Sequence, residues 1–189
     1  MASSLGGGSS GVVAGDVSGT REPPLRISVV GAGAPRGKAV EQAEELGRIL
    51  GRAGAGVVTG GLGGVMEAAS RGCAMEGGFT VGFLPGDNPA SANPWVRLPL
   101  ATGLGEARNV LVVRAGEVVV AVGGEWGTLS EIALARKMGR EVAVLGDPSW
   151  ELPLPRMESP GAAAAWALGR ARERRQGEES PTGAGDEPP

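Results

Sequence analysis

Histidine and tyrosine are absent from this 189-residue chain, and cysteine occurs once. Without histidine, no Ser-His-Asp triad, imidazole general base or histidine metal site can be built. The single Cys73 excludes an internal disulfide and any multi-thiolate metal centre within one chain, so no metal site is expected. It stands among alanine and methionine in a helical stretch and reads as a buried, inert thiol. No apolar run approaches the ~18–20 residues of a membrane span, and the N-terminal stretch lacks the basic and apolar regions of a signal peptide. A cytoplasmic protein with no membrane partner is expected. Basic residues are also scarce: 18 Lys and Arg stand against 21 Asp and Glu, a net charge of −3. Arg170, Arg172, Arg174 and Arg175 cluster, but Glu173, Glu178 and Glu179 interleave with them, the pattern of a solvated helix face. No nucleic-acid partner is expected, because counterion release needs clustered cations.

What the chain has in quantity is glycine, 35 residues of it. Two stretches 64 positions apart are alike: VVTGGLGGVMEAA from Val57 and AVGGEWGTLSEIA from Ala121. Without a gap, Val58 falls on Val122, Gly60 on Gly124, Gly63 on Gly127, Glu67 on Glu131 and Ala69 on Ala133. Each reads as an apolar strand, a glycine-rich turn and a helix with a carboxylate in its first turns. Such turns aim backbone N–H groups and a helix N-terminus at one anion, usually a phosphate.

Residues 1–24 are Gly/Ser-rich and residues 176–189 Gly/Pro/Glu-rich, compositions that cannot bury enough apolar surface to fold. Flexible tails are expected there, around one domain over 25–175. Within it, apolar strands are expected at 26–30, 56–59, 79–84, 96–100, 117–122, 141–145 and 154–157. Helices are expected at 38–52, 65–76, 104–114, 129–138 and 161–174. Nearly all-apolar strands alternating with helices predict an α/β, Rossmann-like, doubly wound and mostly parallel sheet of six to seven strands, covered on both faces. Ligands of such sheets bind off the strands' carboxyl ends at the switch point, where all the glycine turns fall.

The first turn, Gly31-Ala-Gly33-Ala-Pro35-Arg36-Gly37, lacks the third glycine of the dinucleotide fingerprint, which disfavours NAD-type binding. Gly31 and Gly33 there serve either a tight turn or a ligand. The second turn, Thr59-Gly60-Gly61-Leu62-Gly63-Gly64, is richer in glycine than a structural turn needs, which favours ligand contact. The third, Gly123-Gly124-Glu125-Trp126-Gly127-Thr128, offers a hydroxyl and helix amides, followed by Ser130 and Glu131. Glu131 is either a first-turn carboxylate favoured by the helix dipole or a base or ribose-hydroxyl acceptor. Glu67 would face the same cleft. Trp95 and Trp126 are candidate stacking surfaces, and Trp150 and Trp166 candidates for core or dimer-interface packing.

Gly127-Thr-Leu-Ser-Glu131, with Gly60-Gly61, Gly63-Gly64-Val-Met66 and Glu106-Ala-Arg108-Asn109, resembles the Lonely Guy (LOG) superfamily. These are Rossmann-like proteins often mislabelled lysine decarboxylases. Glu67, the Gly-Leu-Gly-Glu-Ala-Arg-Asn stretch and the Leu-Pro-Gly-Asp87 loop look most like its molybdenum-cofactor carrier branch. The resemblance implies a bound phosphorylated small molecule, either the molybdenum cofactor or a nucleoside monophosphate. Together with the reading of the glycine turns, it makes the candidate contacts Gly31, Gly33, Thr59, Gly60, Gly61, Gly63, Gly64, Glu67, Arg108, Asn109, Gly124, Gly127, Thr128 and Glu131.

If the chain is instead a nucleoside 5′-monophosphate phosphoribohydrolase, the resemblance makes Arg108 and Glu131 catalytic. The bottom-up alternative for Arg108 is a surface ion pair with Glu106 or a helix cap. Gly123 stands where the family has proline, Asn109 where it has lysine, and Glu125 where it has glycine. A carboxylate at 125 puts phosphate capture at that turn in doubt. The readings carried forward are a carrier, a phosphoribohydrolase, and a structural oligomer with a vestigial pocket. A homo-oligomer, dimer or tetramer, is expected, with the apolar stretch Leu104–Val113 as a contact.

Overall fold

Strand and helix alternate in space as the apolar pattern alternates in sequence. The computed structural model describes residues 23–35 and 38–179. Most of both expected tails, and Arg36 and Gly37 of the first turn, lie outside the described residues. The strands are β1 Arg26–Gly31, β2 Gly56–Thr59, β3 Thr80–Leu84, β4 Leu98–Ala101, β5 Val118–Val122, β6 Val142–Leu145 and β7 Arg156–Met157. The helices are α1 Ala39–Arg52, α2 Val65–Met75, α3 Asn109–Ala115, α4 Trp126–Lys137 and α5 Pro160–Glu179. Among the described residues the seven strands form one sheet in the order β4-β3-β2-β1-β5-β6-β7, every pair parallel.

The central strands are mostly apolar because both faces are covered. Ile27 and Val29 of β1 and Val118, Val120 and Val122 of β5 pack under α1, α2 and α5, with Leu46, Leu50, Val65, Ala69 and Ala167. Val30, Val119 and Ala121 point the other way, to Val112, Val113, Ile132 and Ala135 of α3 and α4. The period of two along a pleated strand puts alternate residues in two separate cores. Buried Ser28 keeps that alternation by donating its hydroxyl to the Val112 carbonyl at 2.6 Å.

Several element boundaries differ from the sequence expectation. The helix expected over 104–114 is split into a 3-10 turn, Gly105–Arg108, and α3, because Gly103 and Gly105 have φ of +63° and +55° and cannot continue a right-handed helix. Strand β4 begins at Leu98 because the Arg97 N–H goes to the Thr80 hydroxyl before the ladder starts. Helix α4 begins at Trp126, three residues early. Helix α5 runs to Glu179, past the expected boundary at 175.

The arginines of α5 are not one solvated face. Arg174 pairs with Glu178 at 2.9 Å, four residues on, but Arg175 turns inward. It meets Glu117 at 2.9 Å and donates to the carbonyls of Pro23 and Pro24. Glu117, 5 % exposed, also holds the Arg26 guanidinium at 2.8 Å. Burial raises its pKa, but the hydrogen bonds from Arg175 and Arg26 outweigh that, and the net shift is downward. Pro23 and Arg175 thus belong to the folded unit.

Trp166 packs against the α1/α2/α5 core and Trp150 against the other. Cys73 is fully buried, and burial pushes its thiol up to about 11. Val112 and Val113 of the expected subunit contact are consumed by the chain's own core, while Leu104 is exposed. Among the described residues, no helix is long and apolar enough to cross a membrane.

Candidate functional site

The carboxyl ends of β1, β2 and β5 meet at a cleft of about 190 Å³. Gly31 and Gly33 line it from the first turn, and Gly127, Thr128 and Glu131 from the start of α4. Arg108 and Asn109 line it from the junction of the 3-10 turn with α3. Seven residues expected at the site are therefore brought together from three segments. Ala32, Ala34, Met66, Glu106 and Glu125 complete the walls.

Arg108 is delivered by a zipped pair of loops. Gly103 and Gly105 donate to the carbonyls of Gly86 and Pro85. The Thr102 hydroxyl donates to the Leu84 carbonyl at 2.7 Å and accepts from the Leu104 N–H. The Leu-Pro-Gly-Asp87 loop thus acts as a support for the segment that ends in Arg108. The side chain lies directly over Gly60, where any Cβ would collide with the guanidinium. Arg108 is 8 % exposed, and its Nε is buried without a hydrogen-bond partner. Among the described residues it makes no ion pair or hydrogen bond. It is neither the surface pair with Glu106 nor a cap. Burial draws its pKa down against the pull of Glu131 and Glu106, but a guanidinium stays charged. A buried cation with no internal partner is costly, and an anionic group beside it would offset that cost.

Glu131 is 7 % exposed. Burial pushes its pKa up to about 7; Arg108 opposes the rise and Glu106 adds to it. It is the sixth residue of α4, whose first turn holds no acid, so the helix-dipole reading of this carboxylate does not apply. The internal repeat misleads for the same reason. Helix α2 starts at Val65 and α4 at the position matching Leu62, so Glu67 sits in a first turn and Glu131 in a second. Glu67 is half-buried and does not line the cleft; its neighbour Met66 does. Asn109, 8 % exposed, donates to the Ser130 hydroxyl at 3.4 Å.

The second glycine turn is bare largely for structural reasons. Gly61 has φ of +75° and packs against Gly82 and Leu84, and Gly64 has φ of +68° and packs against the carbonyls of Ala32 and Gly33. Thr59 is fully buried, and its hydroxyl accepts from the Gly61 N–H at 3.1 Å rather than facing the cleft. Of the four glycines, Gly60 makes room for Arg108, and Gly63 has no neighbour closer than 3.9 Å to a Cβ position. Asn93, unremarked in sequence, holds this turn from the β3–β4 loop. Its side-chain amide donates to the carbonyls of Gly61 and Leu62 at 3.1 and 2.9 Å, and its backbone N–H to Gly61 at 2.9 Å. Nothing in its local sequence marks it, since its partners lie some thirty residues away.

The third turn diverges from the family pattern in shape. Gly123 has φ of +56°, which a proline ring cannot adopt. Gly124 lines an adjoining cleft instead, with Gly123, and Glu125 lies exposed on the wall common to both clefts. Trp126 is 85 % exposed and lines neither, and Trp95 is half-buried and likewise outside both.

A parallel, doubly wound sheet with an unpaired buried arginine at its glycine-turn end defines a Rossmann-like domain. The chain belongs to the SLOG cluster4 family, which it matches over residues 24–164. An uncharacterised protein of Archaeoglobus fulgidus is 39 % identical over 124 residues, covering 66 % of this chain and 82 % of that protein. Two solved structures are similar throughout. The molybdenum cofactor binding protein from the phototrophic bacterium Rippkaea orientalis is 32 % identical with a TM-score of 0.70, over 79 % of this chain and 98 % of that one. The molybdenum cofactor carrier protein of Chlamydomonas reinhardtii is 30 % identical with a TM-score of 0.72, over 79 % and 99 %.

Proposed function

We propose that the protein binds a phosphorylated small molecule at the Arg108 cleft and acts as a carrier of a molybdopterin-type cofactor. The observation that carries this reading is the Arg108 guanidinium, buried over Gly60 with its Nε unpaired and no partner among the described residues. A phosphorylated pterin suits the donor set. Its phosphate matches the guanidinium, which binds such oxygens in a planar, bidentate fashion. Its polar donors next to the phosphate match carboxylate acceptors of the kind Glu131 and Glu106 provide at the same cleft. Arg108 would hold the phosphate, and Thr128 and Asn109 would orient the ligand. The two cofactor-binding relatives support the same reading.

Mass spectrometry of small molecules released from natively purified protein tests it, with R108A purified in parallel. A phosphorylated pterin is expected from the wild type and not from the variant. Recovery of no phosphorylated compound, with phosphate esters binding wild type and R108A alike, would sink the proposal.

One observation favours a second reading, nucleoside-monophosphate hydrolysis. Glu131 stands at the same cleft as Arg108 with a pKa near neutrality, the range suited to a group that shares a proton with water or a leaving base. Release of free base from nucleoside monophosphates, lost in E131Q, would establish it. Base release at blank level across the panel leaves the carrier.

A further inference from the structure

The Arg108 cleft does not stand alone. Beside it, across Ala32 and Glu125, which line both, lies a second cleft of about 570 Å³. It opens between the carboxyl ends of β1 and β5, where the strand order reverses, and extends toward β6 and the start of α1. Ligand pockets ordinarily span roughly 300–1,000 Å³. The Arg108 cleft is smaller than that, and the switch-point cleft lies within it.

The two clefts differ in chemistry. The first contains the buried guanidinium. The second is walled by Pro35, Ala39 and Pro148, with Lys38, Gln42, Asp147 and Ser149 as polar contacts, its one cation among the described residues being an exposed lysine rather than a buried guanidinium. Apolar walls of that kind suit the face of a flat ring, and an amide with a carboxylate can read its N–H and carbonyl edge. The loop is held in place, since the Ser149 hydroxyl and N–H both donate to the Gly124 carbonyl, at 3.2 and 3.4 Å. Glu125, on the shared wall, repels a phosphate and accepts hydroxyl protons.

Resting on the anion-site reading of Arg108, we infer that the ligand lies across both clefts in a fixed order. The phosphate is on Arg108, a hydroxyl-bearing linker passes Glu125, and a heterocyclic ring fills the switch-point cleft. The ligand class is a phosphate ester joined to a fused, N–H-bearing ring through a sugar or similar polyol. The ring contributes most of the affinity, and the switch-point cleft discriminates among rings.

Two probes dissect this: GMP, whose guanine carries the amino-pyrimidinone edge of a pterin, and ribose 5-phosphate, which has no ring base. By calorimetry, wild type should bind GMP at least tenfold more tightly than ribose 5-phosphate. A39F, which fills the switch-point cleft, should lose at least tenfold for GMP and less than twofold for ribose 5-phosphate, whereas R108A should weaken both. Equal affinity of wild type for the two probes, or A39F leaving GMP binding unchanged, overturns the inference while R108A still reports on the anion site. Should R108A also leave both probes unaffected, the anion-site reading falls and the inference with it. If A39F fails to fold, S149C provides a second readout, because native Cys73 is fully buried. GMP should slow maleimide labelling of the new thiol at least fivefold, and ribose 5-phosphate should not. Equal protection by the two would put the phosphate, not the ring, in the switch-point cleft.

Discussion

The guanidinium of Arg108 lies against the Cα of Gly60, 48 residues earlier in the chain, in the space that a side chain at position 60 would occupy. A glycine at the end of one strand thereby decides whether an arginine from another segment can be buried beside the cleft. Gly60 is not among the positive-φ residues, so its smallness matters rather than its backbone freedom.

G60A should therefore fold and bind poorly. The methyl group displaces the guanidinium, and the loss of charge-assisted contacts worth about 1.5–3 kcal/mol lowers affinity for phosphate esters by roughly ten- to a hundredfold. Calorimetry with GMP measures it, alongside a melting curve that should move by only a few degrees. G61A is the contrast. Its φ of +75° and its contact with Gly82 and Leu84 make stability, rather than affinity alone, the quantity that falls, by about 1–3 kcal/mol.

The titration of Glu131 should be visible in stability. Its folded pKa, about 7, lies above the ~4.3 of an unfolded chain. Between those values the native state holds the extra proton, so this group's contribution to stability declines as pH rises from about 4.5 to 7 and is flat beyond. E131Q abolishes the decline, and should melt above wild type at pH 8 and close to it at pH 5. Identical pH profiles for the two proteins would show that Glu131 is ionised throughout. An anion bound at Arg108 favours the protonated form, so phosphate-ester affinity should fall between pH 6 and 8 in wild type and less so in E131Q.

At the opposite end of the sheet, Glu117 has the reverse sign. Its folded pKa is lowered by hydrogen bonds that outweigh burial, so its contribution is present above the unfolded carboxylate pKa and is lost as pH falls through the folded value. R175A removes one of its two cations and the anchor of Pro23 and Pro24. It should cost about 1–3 kcal/mol at pH 7, with the difference from wild type narrowing toward pH 3. A chain trimmed to residues 25–175 loses both prolines and the last turn of α5, and should melt several degrees lower. Equal melting temperatures would mean that this clasp contributes nothing.

Restoring the family residue at position 123 should do harm. G123P cannot keep φ at +56°, so the turn before α4 must rearrange, at a cost of about 3 kcal/mol or a melting point some 5–10 °C lower. E125G, one helix position from Trp126, should leave the melting point nearly unchanged, because Glu125 is exposed and makes no cap hydrogen bond.

Much of this was legible in the residues. The switch between periods of two and 3.6 marks the alternating elements, because side-chain direction along a strand or helix is a local property. Arg108 and Glu131 stood out through their resemblance to a family motif. The repeat, though genuine in sequence, does not bring Glu67 to the lining of the cleft: two similar strings enter helices that start three residues apart, so the two carboxylates stand about one turn apart along their helix axes. Thr59, a candidate contact in sequence, braces its own turn through its hydroxyl.

The amino-acid sequence by itself determined the parallel, two-cored sheet, the lack of any histidine or second cysteine to build a site from, and the concentration of glycine at strand carboxyl ends. All of these follow from composition and from periodicities within a dozen residues. The tertiary structure alone decided that Arg108 is buried without a partner, that Asn93 holds the glycine turn, that Arg175 closes on Glu117, and that two clefts share the wall bearing Glu125. Burial, pairing and shared walls depend on segments that are distant in sequence and meet only when the sheet is assembled, so local pattern carries no record of them.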